Sequence, residues 1–553
     1  MKLPGLMISA FFTLLAGFLL VPATHGQHEN MGEMKPAAVT LELGLGQIHH
    51  KVTTKSPLAQ KYFDQGLAYI YAFNHEEAVK AFKHAAQIDP DLAMAYWGAA
   101  LALGSNYNLE ADSAALKEAY ANLAKAQAAA SKASKKEQDY IQALSRRYAA
   151  DPDNVNRQEL ARAYKTAMGE LSRKYPDDLD AATLYAESMM NLRPWQLWSS
   201  DGKPAEDTLE IVAVLESVLK RDPNHSGANH YYIHAVEASP NPERALASAK
   251  RIGLIAPNAG HLVHMPSHIY IRTGDYSNAA KVNADAIVVD RNYVKKNGAA
   301  GVYPMLYYNH NMHFLASANT MNGNYRLAIK WGRELEGNVK PMLDQMPMLQ
   351  MFAFYPLVTM VRFEKWDAIL AEPQPARERV VMSAWSHFAR GMAFARTANA
   401  DDAAKELTAF RDVVKTVPEG TPYGNNTAPK VLKIADALLT GTIARSAGDK
   451  AGSIKAYEEA VQAEDAITYD EPPDWDLPTR EWLGRALLAD GQFSQAESVY
   501  RAELAKHPKN GRAIFGLMES LKRQKKDTRG VRLDFQKAWA KADTLLLPSD
   551  LYK

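Results

Sequence analysis

The chain runs to 553 residues without a single cysteine. That excludes a disulfide, a thiolate metal site and a lipid-modified cysteine. A charge excess is missing too: 64 Lys and Arg stand against 63 Asp and Glu. Nothing in this balance argues for nucleic acid or an anionic membrane surface as partner. No Walker loop, dinucleotide glycine fingerprint or Gly-x-Ser-x-Gly nucleophile motif occurs. One long apolar run exists, from Leu3 to Val21 behind Lys2, followed by the small residues Ala23, Thr24 and Gly26. This reads as a secretory signal peptide over 1–26, the alternative being a membrane anchor. The expectation is a periplasmic or secreted protein with no membrane segment after cleavage. Residues 27–55, polar and carrying His28, His49 and His50, are expected to form a flexible lead-in without a role.

What the chain has in abundance is repetition. A length of 553 residues is too great for one compact core. In 58–90, Tyr62, Gly66, Tyr69, Ala78, Phe82 and Ala85 fit two amphipathic helices with a turn near Asn74, closed by Pro90. The same grammar returns with Gly274, Tyr276 and Ala279, with Gly323, Tyr325 and Ala328, with Gly448 and Tyr457, and with Gly491, Ala496 and Tyr500. Glycine at the turn ends one helix, and small residues let paired helices approach.

This pattern resembles the tetratricopeptide repeat family. The resemblance implies an all-α solenoid of helix pairs about 34 residues long, stacked into a right-handed superhelix. It divides the chain into an N-terminal array over 56–345 and a C-terminal array over 346–553. More narrowly, the chain resembles a group of exported bacterial repeat proteins through "YAFNHEEAVKAF" (71–82), "AMAYWGAALALGSNYN" (93–108), "ANHYYIHAVEASP" (228–240), "GHLVHMPSHIY" (260–270) and "YYNHNMHFL" (307–315). Where many of that group carry Cys-x-x-Cys, this chain has Leu92 and Ala95.

Seven of the 16 histidines lie between 230 and 313, in the register of the repeat. His230 and His234 follow Pro223 by seven and eleven residues, and His264 and His268 follow Pro257 by the same intervals. His261 and His264 precede Gly274 by thirteen and ten residues, as His310 and His313 precede Gly323. In the family these first-helix positions line the concave groove. Pairs spaced i, i+4 can hold one divalent ion through neutral imidazole nitrogens. His230, His234, His264 and His268 are therefore the candidate metal ligands, for Zn, Cu, Ni or Fe. His261, His310 and His313 would complete that site or form a second. Glu237 continues the His230/His234 stripe, Glu187 occupies the His234 position one repeat earlier, and Arg272 follows His268 at i+4. These three are candidate ligand-binding groups. Met265 and Met312 offer soft ligation for Cu(I), or plain packing.

Other segments break the pattern. Pro266 falls between His264 and His268, costs a mid-helix hydrogen bond and frees the Leu262 carbonyl. "DRNYVKKNGAAGVYP" (290–304) stretches the period and suggests a mobile loop, either a lid over the groove or a surface insertion. Trp195 and Trp198 would wall the groove or anchor the core. Residues 469–484 form a Pro-broken connector. His387 is expected to be structural, and Lys522, Arg523, Lys525 and Lys526 a solvated end-face.

Three functions follow as expectations. The first is binding of a divalent metal, or of a peptide, protein or small-molecule ligand, in the histidine-lined groove. The second is a metal-dependent enzyme with Glu187 or Glu237 as acid/base and 290–304 as lid. The third is a protein-interaction scaffold of the cell envelope.

Overall fold

The computed structural model describes residues 39–298 and 300–552. The signal-peptide segment lies outside the described residues. Ser56 opens the first helix, Pro57–Tyr71, by accepting from the Ala59 N–H, and Pro57 sits in the first turn, where a missing N–H costs nothing. Asn74 caps the partner helix, His75–Ile88, whose first turn carries Glu76 and Glu77. Ala78, Ala81, Phe82 and Ala85 are its buried stripe. The Phe82 ring fills the space left by two glycines: a Cβ on Gly66 would come within 2.7 Å of it.

The pair then recurs. Ser226–Glu237, Gly260–His264 with Pro266–Arg272, and Tyr308–Met321 are the first helices that carry the histidines. The expected turn glycines Gly274 and Gly323 both adopt φ of +72°. In the first repeat Phe73 takes that left-handed place, at φ +53°. The apolar core divides into two main clusters, one from Leu45 to Tyr307 and one from Ile287 to Leu551.

The array turns back on itself. Tyr276 donates its hydroxyl to the Pro508 carbonyl at 3.0 Å. The Asp543 carboxylate accepts from the Tyr325 and Arg326 backbone N–H groups. Buried Arg362 pairs with Glu481.

Two segments depart from expectation. Residues 39–55 are not a loose lead-in: Leu45, His50 and Val52 are buried. The backbone is stitched down by Glu42 N–H to Gln65 and Thr53 N–H to Glu137, because an extended strand of chain must place its polar groups somewhere. The segment 290–304, expected as a loop, is helical up to Asn297 within Tyr276–Asn297. From within that helix Tyr293 OH donates to Glu77 of the first repeat at 3.1 Å, and beyond it the Val302 N–H donates to Glu76 at 3.1 Å.

Candidate functional site

The histidine face is an enclosed chamber instead of an open groove. His230, His234, His261, His264 and His268 are each at most 2% exposed, and His310 is half-buried. Phe73, Phe314, Trp195 and Tyr107 pack against the rings.

Each imidazole is held from outside. His230 Nδ1 lies 2.7 Å from the Tyr71 carbonyl. His234 Nδ1 lies 2.7 Å from Glu237 Oε1, and His268 Nδ1 lies 2.5 Å from Glu237 Oε2. His264 Nδ1 lies 2.8 Å from Asn283 Oδ1. The Asn283 amide is itself oriented, since its Nδ2 donates to the Ala279 carbonyl. The carbonyl, carboxylate and amide oxygens are acceptors, so toward them a neutral ring carries its proton on Nδ1 and its lone pair on Nε2; His264 Nδ1 also meets the Ser267 hydroxyl at 3.3 Å. All four Nε2 atoms point inward.

Inside, His264 Nε2 and His268 Nε2 stand 2.9 Å apart, and His261 Nε2 and His230 Nε2 stand 3.1 Å apart. His234 Nε2 has no hydrogen-bond partner, nor has His261 Nδ1. Three ligand atoms lie within 4.8 Å of one another in His230, His234 and His261, and again in His264, His268 and His310. Two neutral rings that both donate through Nδ1 have no proton to share between their Nε2 atoms. A neutral His264 can donate through Nε2 to His268 if its Nδ1 accepts from the Ser267 hydroxyl, 3.3 Å away.

Burial favours the neutral form of several of these imidazoles. Burial, with the neighbouring histidines, pushes His230, His261, His264 and His310 well below the ordinary imidazole range. Burial would raise Glu237, but the facing His268 and His234 outweigh it and bring it down to about 2. Such rings are ready to ligate without first losing a proton.

The walls are aromatic. Phe73 sits on His230, His234 and His261, and Phe314 on His264, His268 and His310. Trp195 touches one ring of each group, His234 and His268. Trp198 anchors its loop by donating to the Ala235 carbonyl. Tyr107 packs 5.1 Å from the His234 ring and also lines a neighbouring cavity of about 250 Å³ with Asn108, Arg147 and Asn191. Across the chamber, Tyr303 OH accepts from the His261 N–H and donates to Asp290.

Pro266 breaks the helix into Gly260–His264 and Pro266–Arg272 with Met265 between them, and the two histidines on either side face each other across that break.

Three other candidates lie elsewhere. Glu187 accepts from Asn191 and feels the Arg147 charge; burial raises its pKa. Arg272 donates to the Ser239 carbonyl and lies over the Tyr469 ring. His313 packs edge-on against Phe352 and Tyr355, and burial pushes it down to about 3. None of the three is in either histidine group. Glu237 has both oxygens bonded to histidine, whereas Glu187 keeps one oxygen without a hydrogen-bond partner but lies in neither histidine group. His387 bonds Glu406, a packing role.

The repeated helix pair is matched by sequence as well: residues 59–92 fit the family model of the tetratricopeptide repeat. The chain is an all-α solenoid of stacked helix pairs, of which 59–92 matches that repeat. Among solved structures, the human IFIT1 dimer with m7Gppp-AAAA is similar at 11% identity, covering 89% of this chain and 92% of that one, with a TM-score of 0.33. The P58(IPK) TPR domain is similar at 14% identity over 84% and 98%, TM-score 0.22. Yeast Tom70 is similar at 12% identity over 88% and 92%, TM-score 0.28. No curated protein matches the chain. Among the described residues, no helix of this solenoid is long and apolar enough to cross a membrane.

Proposed function

We propose that this tetratricopeptide-repeat protein binds a divalent transition metal in its histidine chamber. The observation that carries the reading is the 2.9 Å approach of His264 Nε2 to His268 Nε2 while both Nδ1 atoms face acceptors. A proton could occupy that gap. A metal ion is favoured because His310 converges on the same place, and because His230, His234 and His261 repeat the arrangement. An outer carboxylate or amide on Nδ1 is the usual support of a metal-bearing imidazole. All-nitrogen ligation without thiolate suits Zn, Cu, Ni or Fe. Three protein nitrogens leave a tetrahedral ion one free position. The reading includes export, supported by the apolar run after Lys2.

The test is a thermal melt of the untagged protein with and without added Zn²⁺ or Cu²⁺. Binding stabilises by about 4 kcal/mol at a thousandfold excess over Kd. The gain should vanish in His264→Ala/His268→Ala. No gain with Zn, Cu, Ni or Fe contradicts the proposal.

The second reading is a protein- or peptide-binding scaffold, which the solenoid fold itself favours. It needs the outer faces of the helix pairs instead of the enclosed chamber, and the two readings are compatible.

A further inference from the structure

We infer that the chamber holds two metal ions side by side, each on three histidines, and that the two sites are copies generated by the repeat. The inference rests on the metal-binding reading and deepens it. One site is His230, His234 and His261; the other is His264, His268 and His310. They share no residue. Moving one repeat along the chain carries 230 to 264 and 234 to 268, each by 34 residues. It carries 261 to 310, since both precede a turn glycine, Gly274 or Gly323, by thirteen residues. Each site thus takes the i, i+4 pair of one repeat and the leading histidine of the next.

The two sites are alike in their surroundings too, though not position for position: Phe73 stands in a turn and Phe314 in a helix, and the facing nitrogens come from two repeats in the first site and from one in the second. Each site has one phenylalanine against all three rings, Phe73 or Phe314. Each has one pair of facing Nε2 atoms, 3.1 Å apart in the first site and 2.9 Å in the second. Two nitrogens on one tetrahedral ion, with bonds of about 2.0–2.1 Å, stand about 3.3 Å apart, so both pairs need only a small opening. The third repeat cannot extend the series. His313 holds the position of His264, but the position of His268 is Ser317.

The sites are neighbours. The His234 and His268 rings lie 5.4 Å apart and the His261 and His264 rings 5.5 Å apart. Glu237 ties them from outside, with one oxygen on a ligand of each site. Two cations this close repel, and a buried carboxylate bonded to both ligand sets offsets part of that repulsion. The free position on each ion suits water, hydroxide or another small anion.

The experiment is a Co²⁺ titration of the untagged full chain, followed by its visible ligand-field bands, with metal content measured by plasma mass spectrometry at saturation. Two ions per chain are expected. His261→Ala and His310→Ala, checked for helix content by circular dichroism, should each hold one. Saturation at one ion in the unsubstituted chain overturns the pair and leaves the metal reading standing. No bound ion overturns both. Two ions unaffected by either substitution place them elsewhere and overturn the inference.

Discussion

His264 and His268 present their Nε2 atoms to each other at 2.9 Å across the helix break at Pro266. Each is pinned from behind, by Asn283 on one side and Glu237 on the other.

Glu237→Gln keeps the shape but removes one acceptor, so either His234 or His268 loses the partner that fixes its tautomer. Metal affinity should fall by about 10–100-fold, the usual penalty for losing such an outer partner. Competition against a chelator of known affinity measures it. An unchanged affinity would mean that Glu237 does not orient the ligands.

Tyr107 separates the 250 Å³ cavity from the His234 ring. Tyr107→Leu should open that wall and speed metal removal by chelator several-fold, with equilibrium affinity little changed. Stopped-flow release rates decide this; identical rates would place the access route elsewhere.

Asp180 accepts from His50 at 2.8 Å, Tyr71 at 2.5 Å and His225 at 3.2 Å. Burial raises its pKa, but the His225 and His50 contacts outweigh it and hold the carboxyl well below the usual range. A depressed carboxylate contributes stability above its unfolded pKa of about 3.9, lost as pH falls below that value. Asp180→Asn should cost about 2–4 kcal/mol at neutral pH and much less in acid. Denaturant melts at two pH values test it. Because Tyr71 also offers the carbonyl that orients His230, the same variant should weaken metal binding modestly.

Glu471, in the connector over 469–484, has the opposite sign. Burial pushes it up to about 8, against the Arg272 charge. The folded state keeps a proton that the unfolded chain releases near its ordinary pKa. Stability therefore falls as pH rises from about 4.3 to about 8. Glu471→Gln should remove a loss on the order of 2–4 kcal/mol over that window. Equal pH slopes in both proteins would refute the assignment.

The repeat was legible because its signals are local: a glycine at φ +72° can be read at Gly274 and Gly323 from spacing alone. The histidine register was legible for the same reason. Their partition was not. The sequence suggests that His230, His234, His264 and His268 meet; the structure sets each pair beside the leading histidine of the following repeat and also joins His234 to His268 through Glu237, a stagger set by how repeats stack. Asn283 and the Tyr71 carbonyl were invisible because they reach the rings from other helices. Phe73 did leave a trace: a bulky residue stands where later repeats have the turn glycine. Glu187 shares the repeat position of His234 but faces Arg147 and Asn191, so position in the repeat does not by itself fix what a side chain meets. His50 was misjudged since polar composition does not reveal that Asp180 awaits it.

The most direct measurement is the metal content of the mature, untagged protein by plasma mass spectrometry, beside His230→Ala/His264→Ala. The account expects stoichiometric transition metal in the first, with loss from both histidine groups in the second. A metal-free protein that stays so after reconstitution with Zn, Cu, Ni and Fe, yet remains folded, would contradict it.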